Sequence, residues 1–270
     1  MSDVQSTKRW LSQELSTYYP EAEAEQIARQ LLEEACGKPY PLLVVSDYKV
    51  TQKINVLKGW LARLLGHEPI QYVLGHTFFG GMELVVCPGV LIPRPETEEL
   101  CQLLLERGYL FSGAVTADIC TGSGAIAVFM ARAGAKVEAV ELSPMALEVA
   151  KENIIHQGGV VTLREADILH DYTPMYDAYD LVVSNPPYVL ERERNEILPH
   201  VLEQEPSMAL FVPDEDPLLF YRRIKELYHA KVFAFEINPL CVAELQELFA
   251  DKEVEFIKDF RGNIRFLIVR

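Results

Sequence analysis

From Val115 onward this 270-residue chain alternates short apolar runs with helix-length stretches, and that alternation restricts the fold more than any other feature. Residues 115–119, 136–140, 160–163, 179–184, 231–237, 254–257 and 264–269 have the length and the β-branched or aromatic content of strands. Residues 125–133, 144–156, 217–229 and 239–250 lie between them and have helix length. Strands joined through helices run parallel, because a parallel crossover needs a dozen or more residues. The sequence therefore predicts an α/β fold, a doubly wound, seven-stranded, mostly parallel sheet. Only the turn from Asp259 to Asn263 separates the last two strands, so that pair is predicted antiparallel.

The front of the chain has a different period. Trp10, Leu11, Leu15 and Tyr18 recur at helical spacing, as do Ile27, Leu31, Leu32 and Ala35, then Val56, Trp60, Leu61, Leu64 and Leu65. Gly37, Pro39 and Gly66 mark stops. Residues 1–75 are thus expected to form a small helical bundle with these stripes as its core. Residues 76–92, glycine-rich and with a β-like run at 82–86, read as a β-hairpin connector. Residues 93–270 make the α/β domain.

Composition narrows the function. Residues 1–75 hold 8 basic and 9 acidic side chains, leaving 17 and 31 for the rest, so nearly all of the net charge of −15 falls on the α/β domain. Such a domain is a poor partner for nucleic acid, whose affinity rests on Lys and Arg at phosphates. No apolar stretch approaches the ~18–20 residues of a membrane span. Met1 to Arg9 is polar with no apolar segment after it, so no secretory signal is expected. The five cysteines contain no Cys-x-x-Cys pair, so neither a zinc site nor a disulfide framework is indicated, and a reducing, cytoplasmic setting fits.

Ligands of doubly wound sheets bind beyond the carboxyl ends of the strands. Two loops stand there. After the first strand comes Asp118-Ile119-Cys120-Thr121-Gly122-Ser123-Gly124, where the glycines let a ligand approach the backbone at a helix N-terminus. Glu141 ends the second strand, placed to accept from both hydroxyls of a ribose. Gly122-x-Gly124-x-x-Ala127 with a distal acid also fits a dinucleotide fingerprint. Asp167-Ile168, after the third strand, puts an acid where an adenine amino group could be held. The fourth strand exits into Asn185-Pro186-Pro187-Tyr188. Two prolines stiffen this loop and remove two N–H donors. What remains is a cluster of acceptors with an aromatic ring, suited to a planar –NH2 group.

Together these segments resemble the class I S-adenosylmethionine-dependent methyltransferases, and among them the PrmC/HemK group, which methylates a glutamine side-chain amide in peptide chain release factors. The resemblance rests on Glu68-Pro69-Ile70-Gln71-Tyr72, Leu91-Ile92-Pro93-Arg94-Pro95-Glu96-Thr97-Glu98, the glycine loop, Asn185 to Tyr188, Glu205-Pro206 with Ala209-Leu210, and Asp259-Phe260-Arg261-Gly262. It implies S-adenosyl-L-methionine as cofactor, held by Cys120, Thr121, Gly122, Ser123, Gly124, Glu141, Asp167, Ile168 and Asn185. It implies release factors as protein substrates, gripped by residues 1–75. Asn185, Pro186, Pro187 and Tyr188 would bind the substrate amide. Asn185 and the Pro186 carbonyl would accept its two hydrogens, and Tyr188 would stack on its plane. Asp118, Arg94 and Glu96 are further candidates, the last two near the cofactor or the substrate entrance; no metal is expected, and a monomer is. Cys120 and Asn238 stand where glycine is common in the family, and Asn238 is expected to stay clear of the transfer site. Two rivals share the loop or the fold: an adenine-N6 methyltransferase on DNA or RNA, and a non-catalytic nucleoside-binding protein.

Overall fold

Helix formation begins where Asp3 accepts a hydrogen bond from the Ser6 N–H at 2.8 Å, satisfying one of the orphan donors of a first turn. In the computed structural model, which describes residues 3–170 and 172–270, the chain divides into two compact units, Met1–Gly75 and His76–Arg270. The first contains α1 (Val4–Leu15), α2 (Glu21–Cys36), α3 (Tyr40–Val45), α4 (Ile54–Leu65) and α5 (Ile70–Leu74). Gly37 ends α2 in the left-handed conformation, φ +63°, a position that costs glycine little. Leu11, Leu15, Leu31, Leu32, Leu57 and Leu64 are fully buried in its core. Val56 and Tyr18 depart from the predicted stripes. Val56 is one residue, about 100° of helix, from the buried Leu57 and faces outward, while Tyr18 lies beyond the end of α1. The short α3 and α5 carry too few residues for periodicity to reveal them.

The second unit opens with a hairpin, β1 (His76–Phe79) and β2 (Met82–Val85), paired antiparallel. Helix α6 (Pro95–Glu106) follows, starting at a proline whose fixed φ suits a first helical turn. Then come β3 (Val115–Ile119), α7 (Ala125–Arg132), β4 (Lys136–Glu141), α8 (Pro144–Gln157), β5 (Val160–Glu165) and β6 (Tyr179–Ser184). A segment absent from the sequence reading intervenes: β7 (Val189–Leu190), α9 (Pro199–Gln204), α10 (Ser207–Leu210) and β8 (Phe211–Val212), with β7 and β8 paired in parallel. Last are α11 (Leu219–Leu227), β9 (Ala230–Glu236), α12 (Val242–Leu248), β10 (Val254–Lys258) and β11 (Ile264–Val269).

The main sheet has seven strands in the order β10-β11-β9-β6-β3-β4-β5. β3, β4, β5, β6 and β9 are parallel, and β11 inserts antiparallel between β9 and β10. Alternate residues supply separate cores on the two faces. Leu181, Val183 and Ile268 enter one, Val182, Leu267 and Val269 the other. Each such side chain contributes roughly 1.5–3 kcal/mol by burial. Strand order reverses between β3 and β6, so the crevice of a doubly wound sheet opens at their carboxyl ends. Among the described residues no helix is long and apolar enough to cross a membrane.

Candidate functional site

The two strands at the reversal are tied at their ends. The Ser184 hydroxyl donates to the Ile119 carbonyl at 2.6 Å. Below the glycine loop, fully buried Asp118 accepts from the Ala127 N–H at 2.9 Å and from the Thr121 hydroxyl. Its other oxygen has no partner among the described residues. Burial pushes Asp118 up to about 7 against these two hydrogen bonds. Asp118 therefore shapes the loop from beneath. Nothing stands within 4 Å of where a Cβ on Gly122 would project, whereas one on Gly124 would meet Ala150 of α8 at 3.2 Å. Gly122 thus leaves open space beside the backbone, and Gly124 admits close helix packing. Asn153, which no sequence motif marks, accepts from the Val85 N–H at 2.7 Å and donates to the carbonyls of Val85 and Ser123 at 3.0 and 2.9 Å. It joins hairpin to glycine loop.

A cavity with about 820 Å³ of empty space, part of it open to solvent, lies at the reversal. That is within the range of small-molecule sites, about 300–1,000 Å³. It brings together Cys120, Gly122, Glu141, Asp167, Ile168, Asn185 and Pro187. The Glu141 carboxylate is oriented by three backbone donors: Gly122 at 2.8 Å on one oxygen, Leu142 and Ser143 at 2.9 Å each on the other. The oxygen bonded only by Gly122 keeps a lone pair for a ligand hydroxyl. Asp167 accepts from the Leu169 N–H at 2.9 Å and contacts His170 Nδ1 at 2.7 Å. Apolar walls come from Val140, Leu142, Ala166 and Ile168. A hydroxyl-bearing nucleoside fits this set: a pinned carboxylate, an open glycine backbone and an apolar slot for the flat faces of its base.

Asn185 donates through Nδ2 to the Thr97 hydroxyl at 3.2 Å. Among the described residues no hydrogen bond engages its Oδ1 or the Pro186 carbonyl. Tyr188 packs against the β9 and α11 side of the core, with the Arg265 guanidinium 5.9 Å from its ring centre. Burial pushes its phenol well above the ordinary range, with Glu236 adding to the effect. Asn238 departs from the sequence expectation that it stays clear of this loop. Its amide donates to the Tyr188 carbonyl at 3.1 Å and to Glu193 at 2.6 Å. The reason is topological: β9 neighbours β6, so the two strand exits meet.

Other predicted residues stand outside the cavity lining. Thr121 and Ser123 are buried in the loop, Gly124 begins α7, and Pro186 and Tyr188 flank the lining residues Asn185 and Pro187. Arg94 donates to both oxygens of buried Glu205 at 2.7 Å, joining the segment before α6 to the end of α9. Glu96 faces Arg261 at 3.6 Å. Sequence reasoning missed the walls formed by Gly89, Val90 and Leu91 and by Pro206, Met208 and Ala209. Leu91, Pro206 and Ala209 belonged to segments already singled out, but no periodicity placed them beside the glycine loop.

Cys120 sits at φ +61°, which explains why glycine suits the position. A β-branched side chain is most strained there. Cys120→Val is therefore expected to melt several degrees below Cys120→Gly, a gap of about 2 kcal/mol. Equal melting of the two variants by calorimetry would show that the loop carries no such strain.

Comparisons with known proteins place these features in context. Residues 7–75 match the PrmC N-terminal domain, and residues 96–209 the methyltransferase small domain. The chain is 37% identical over 271 residues to a release factor glutamine methyltransferase of Bacteroides thetaiotaomicron, covering 96% of each chain. Similar proteins of the same description occur in Flavobacterium psychrophilum, 37% identical with 95% of each covered, and in Streptococcus pneumoniae, 35% identical with 95% and 94% covered. Among solved structures, the hMettl16 catalytic domain in complex with an RNA hairpin overlays with a TM-score of 0.53 at 15% identity, over 69% of this chain and 74% of that one. At that identity the likeness speaks for the fold alone.

Proposed function

The chain belongs to the PrmC/HemK family of release factor glutamine methyltransferases, and from that premise we propose that it methylates the side-chain amide nitrogen of a glutamine in a peptide chain release factor. The observation that carries this reading is the unengaged carbonyl of Asn185, in the same cavity as the pinned Glu141. Gly122, Glu141, Asp167 and Ile168 would hold the nucleoside of S-adenosyl-L-methionine, inside the loop of Cys120, Thr121, Ser123 and Gly124. Bound there, the cofactor supplies a methyl group on a positively charged sulfur, open to in-line displacement.

The chain's own residues address the difficulty of the acceptor. A glutamine amide nitrogen is a weak nucleophile because its lone pair is delocalised. Asn185 Oδ1 and the Pro186 carbonyl accept its two hydrogens and fix its direction. The same two acceptors stabilise positive charge as it develops on nitrogen. Tyr188 packs on the amide plane. Residues 1–75 grip the release factor, residues 76–92 connect, and residues 93–270 carry the transfer. The concentration of acidic charge in the second unit favours a protein substrate over a polyanion. On this reading the protein is a cytoplasmic monomer.

The test incubates the full chain and a labelled methyl donor with an intact release factor, with a short peptide carrying the same glutamine, or with DNA or RNA. Label is expected on the glutamine side chain, with kcat/KM for the intact factor at least about 10²-fold above the peptide. Label on adenine instead would overturn the assignment. Equal rates on factor and peptide would remove the grip assigned to residues 1–75.

A further inference from the structure

Asp167 and Ile168 stand on a turn that belongs to no helix or strand. Its entry is fixed, because the Ala166 N–H donates to the Glu141 carbonyl at 2.9 Å. The turn also closes on itself: the His170 N–H donates to the Asp167 carbonyl at 3.1 Å. The Asp167 carboxylate accepts from the Leu169 N–H at 2.9 Å and contacts His170 Nδ1 at 2.7 Å, which leaves lone pairs for a ligand. These local bonds set the curvature of the turn. They do not set its place against the cavity, and its outward carbonyls need donors from another element.

One side chain of α11 supplies them. Arg223 donates through Nε to the Ile168 carbonyl and through Nη2 to the His170 carbonyl, each at 2.8 Å. Its Nη1 faces Glu226 at 3.5 Å, and the side chain is 28% exposed, so water competes little for these bonds. The planar guanidinium holds its nitrogens in a fixed fork, so a turn bonded at two points can neither swing nor slide. Phe220, one turn earlier on α11, lines the cavity together with Asp167, Ile168 and Leu169. The preceding arginine, Arg222, pairs with Asp216 instead, at 2.9 and 2.7 Å. Arg223 lies 55 positions from Ile168 and belongs to no motif of the cofactor loops.

We propose that Arg223 is a positioning residue for the cofactor, holding the Asp167-to-His170 turn where the Asp167 carboxylate meets the adenine amino group. The inference rests on the reading above that sets the nucleoside against Asp167 and Ile168. Without the clasp, binding must order the turn, and affinity falls by that cost. A carboxylate selects for an amino group only at hydrogen-bond distance, so selectivity for that group falls as well. General destabilisation of α11 would not change selectivity.

The experiment measures binding of two probes to the full chain by calorimetry, with a melt of each variant. The probes are S-adenosylhomocysteine, the donor without its methyl group, and its analogue with hydrogen in place of the adenine amino group. Wild type is expected to prefer S-adenosylhomocysteine by about tenfold or more. Arg223→Met keeps an apolar stem and removes the donors; it is expected to weaken S-adenosylhomocysteine about fivefold or more and to narrow the preference to within about threefold. Arg223→Lys is expected to recover part of both losses, and Arg222→Met to bind as wild type does. Arg223→Met with wild-type affinity, or with weaker binding and an unchanged preference, overturns the proposal, as does an equal loss in Arg222→Met. Should Arg223→Met fail to melt cooperatively, Arg223→Lys decides: intermediate affinity and preference support the clasp, and wild-type values of both overturn it. A wild type that binds the two probes equally removes Asp167 from the amino group, and the proposal falls with that reading. Failure of the nucleoside placement thus shows in wild type, and failure of the clasp only in the variants.

Discussion

Asn185→Ala is expected to lower methyl transfer about 10²–10³-fold while changing cofactor affinity no more than several-fold. The magnitude follows from what is lost. Removing one preorganised hydrogen-bonding group at a site of developing charge costs about 3–4 kcal/mol in the barrier. In the proposed reaction the lost group also sets the direction of the nucleophilic nitrogen, so misalignment adds to the electrostatic loss. Glu141 and Gly122 remain in the variant, held by their own hydrogen bonds, so the proposed cofactor contacts are expected to survive. The Thr97 hydroxyl loses its donor partner, so a melt must accompany the kinetics. Turnover near wild type in a folded Asn185→Ala variant would remove Asn185 from the mechanism.

Glu138→Ala is expected to destabilise the second unit by about 4 kcal/mol, lowering its melting temperature by roughly 8–16 °C. Glu138 is fully buried in the middle of β4. One of its oxygens accepts from the Tyr172 hydroxyl and from Arg164, each at 2.7 Å, and from the Met175 N–H at 3.0 Å. The other accepts from the Tyr179 hydroxyl. Removing the carboxylate leaves these donors facing an apolar hole, and Arg164 keeps the Thr173 carbonyl at 2.8 Å, a long contact to the Tyr172 hydroxyl and its place over the Tyr172 ring. Buried donors without acceptors cost more than the net worth of their bonds. Burial, the first cause of the rise in the Tyr172 and Tyr179 phenols, does not depend on Glu138 and still opposes their ionising to relieve the loss. Thermal or denaturant unfolding measures the effect, and a loss under about 1 kcal/mol would mean the cluster is not held through Glu138.

Much of this architecture is written in local chemistry. Seven short apolar runs separated by helices fix a doubly wound sheet, because helix-length crossovers force parallel pairing. The loop from Asp118 to Gly124 and the loop from Asn185 to Tyr188 are legible because each is contiguous and uses residue types, glycine and proline, whose backbone limits are intrinsic. The segment from Val189 to Val212 was not legible. Its strands have two residues each and its helices four to six, too short to show a period.

Long-range partners follow the same logic. Glu138, inside a run legible only as a strand, gains its meaning from Tyr172, Tyr179 and Arg164 around it. Asn238 reads as a departure from glycine at a strand exit until β9 brings it to the Tyr188 carbonyl.

The sequence by itself determined the class of sheet, the front helices and the two strand-exit loops, since those follow from spacing and from the stereochemistry of single residues. Only the tertiary structure decided which walls close the cavity and which partners meet Asn185 and Arg94. Hydrogen bonds between residues 88 or 111 positions apart have no trace in local pattern, because the chain's folding, and not its order, sets their distance.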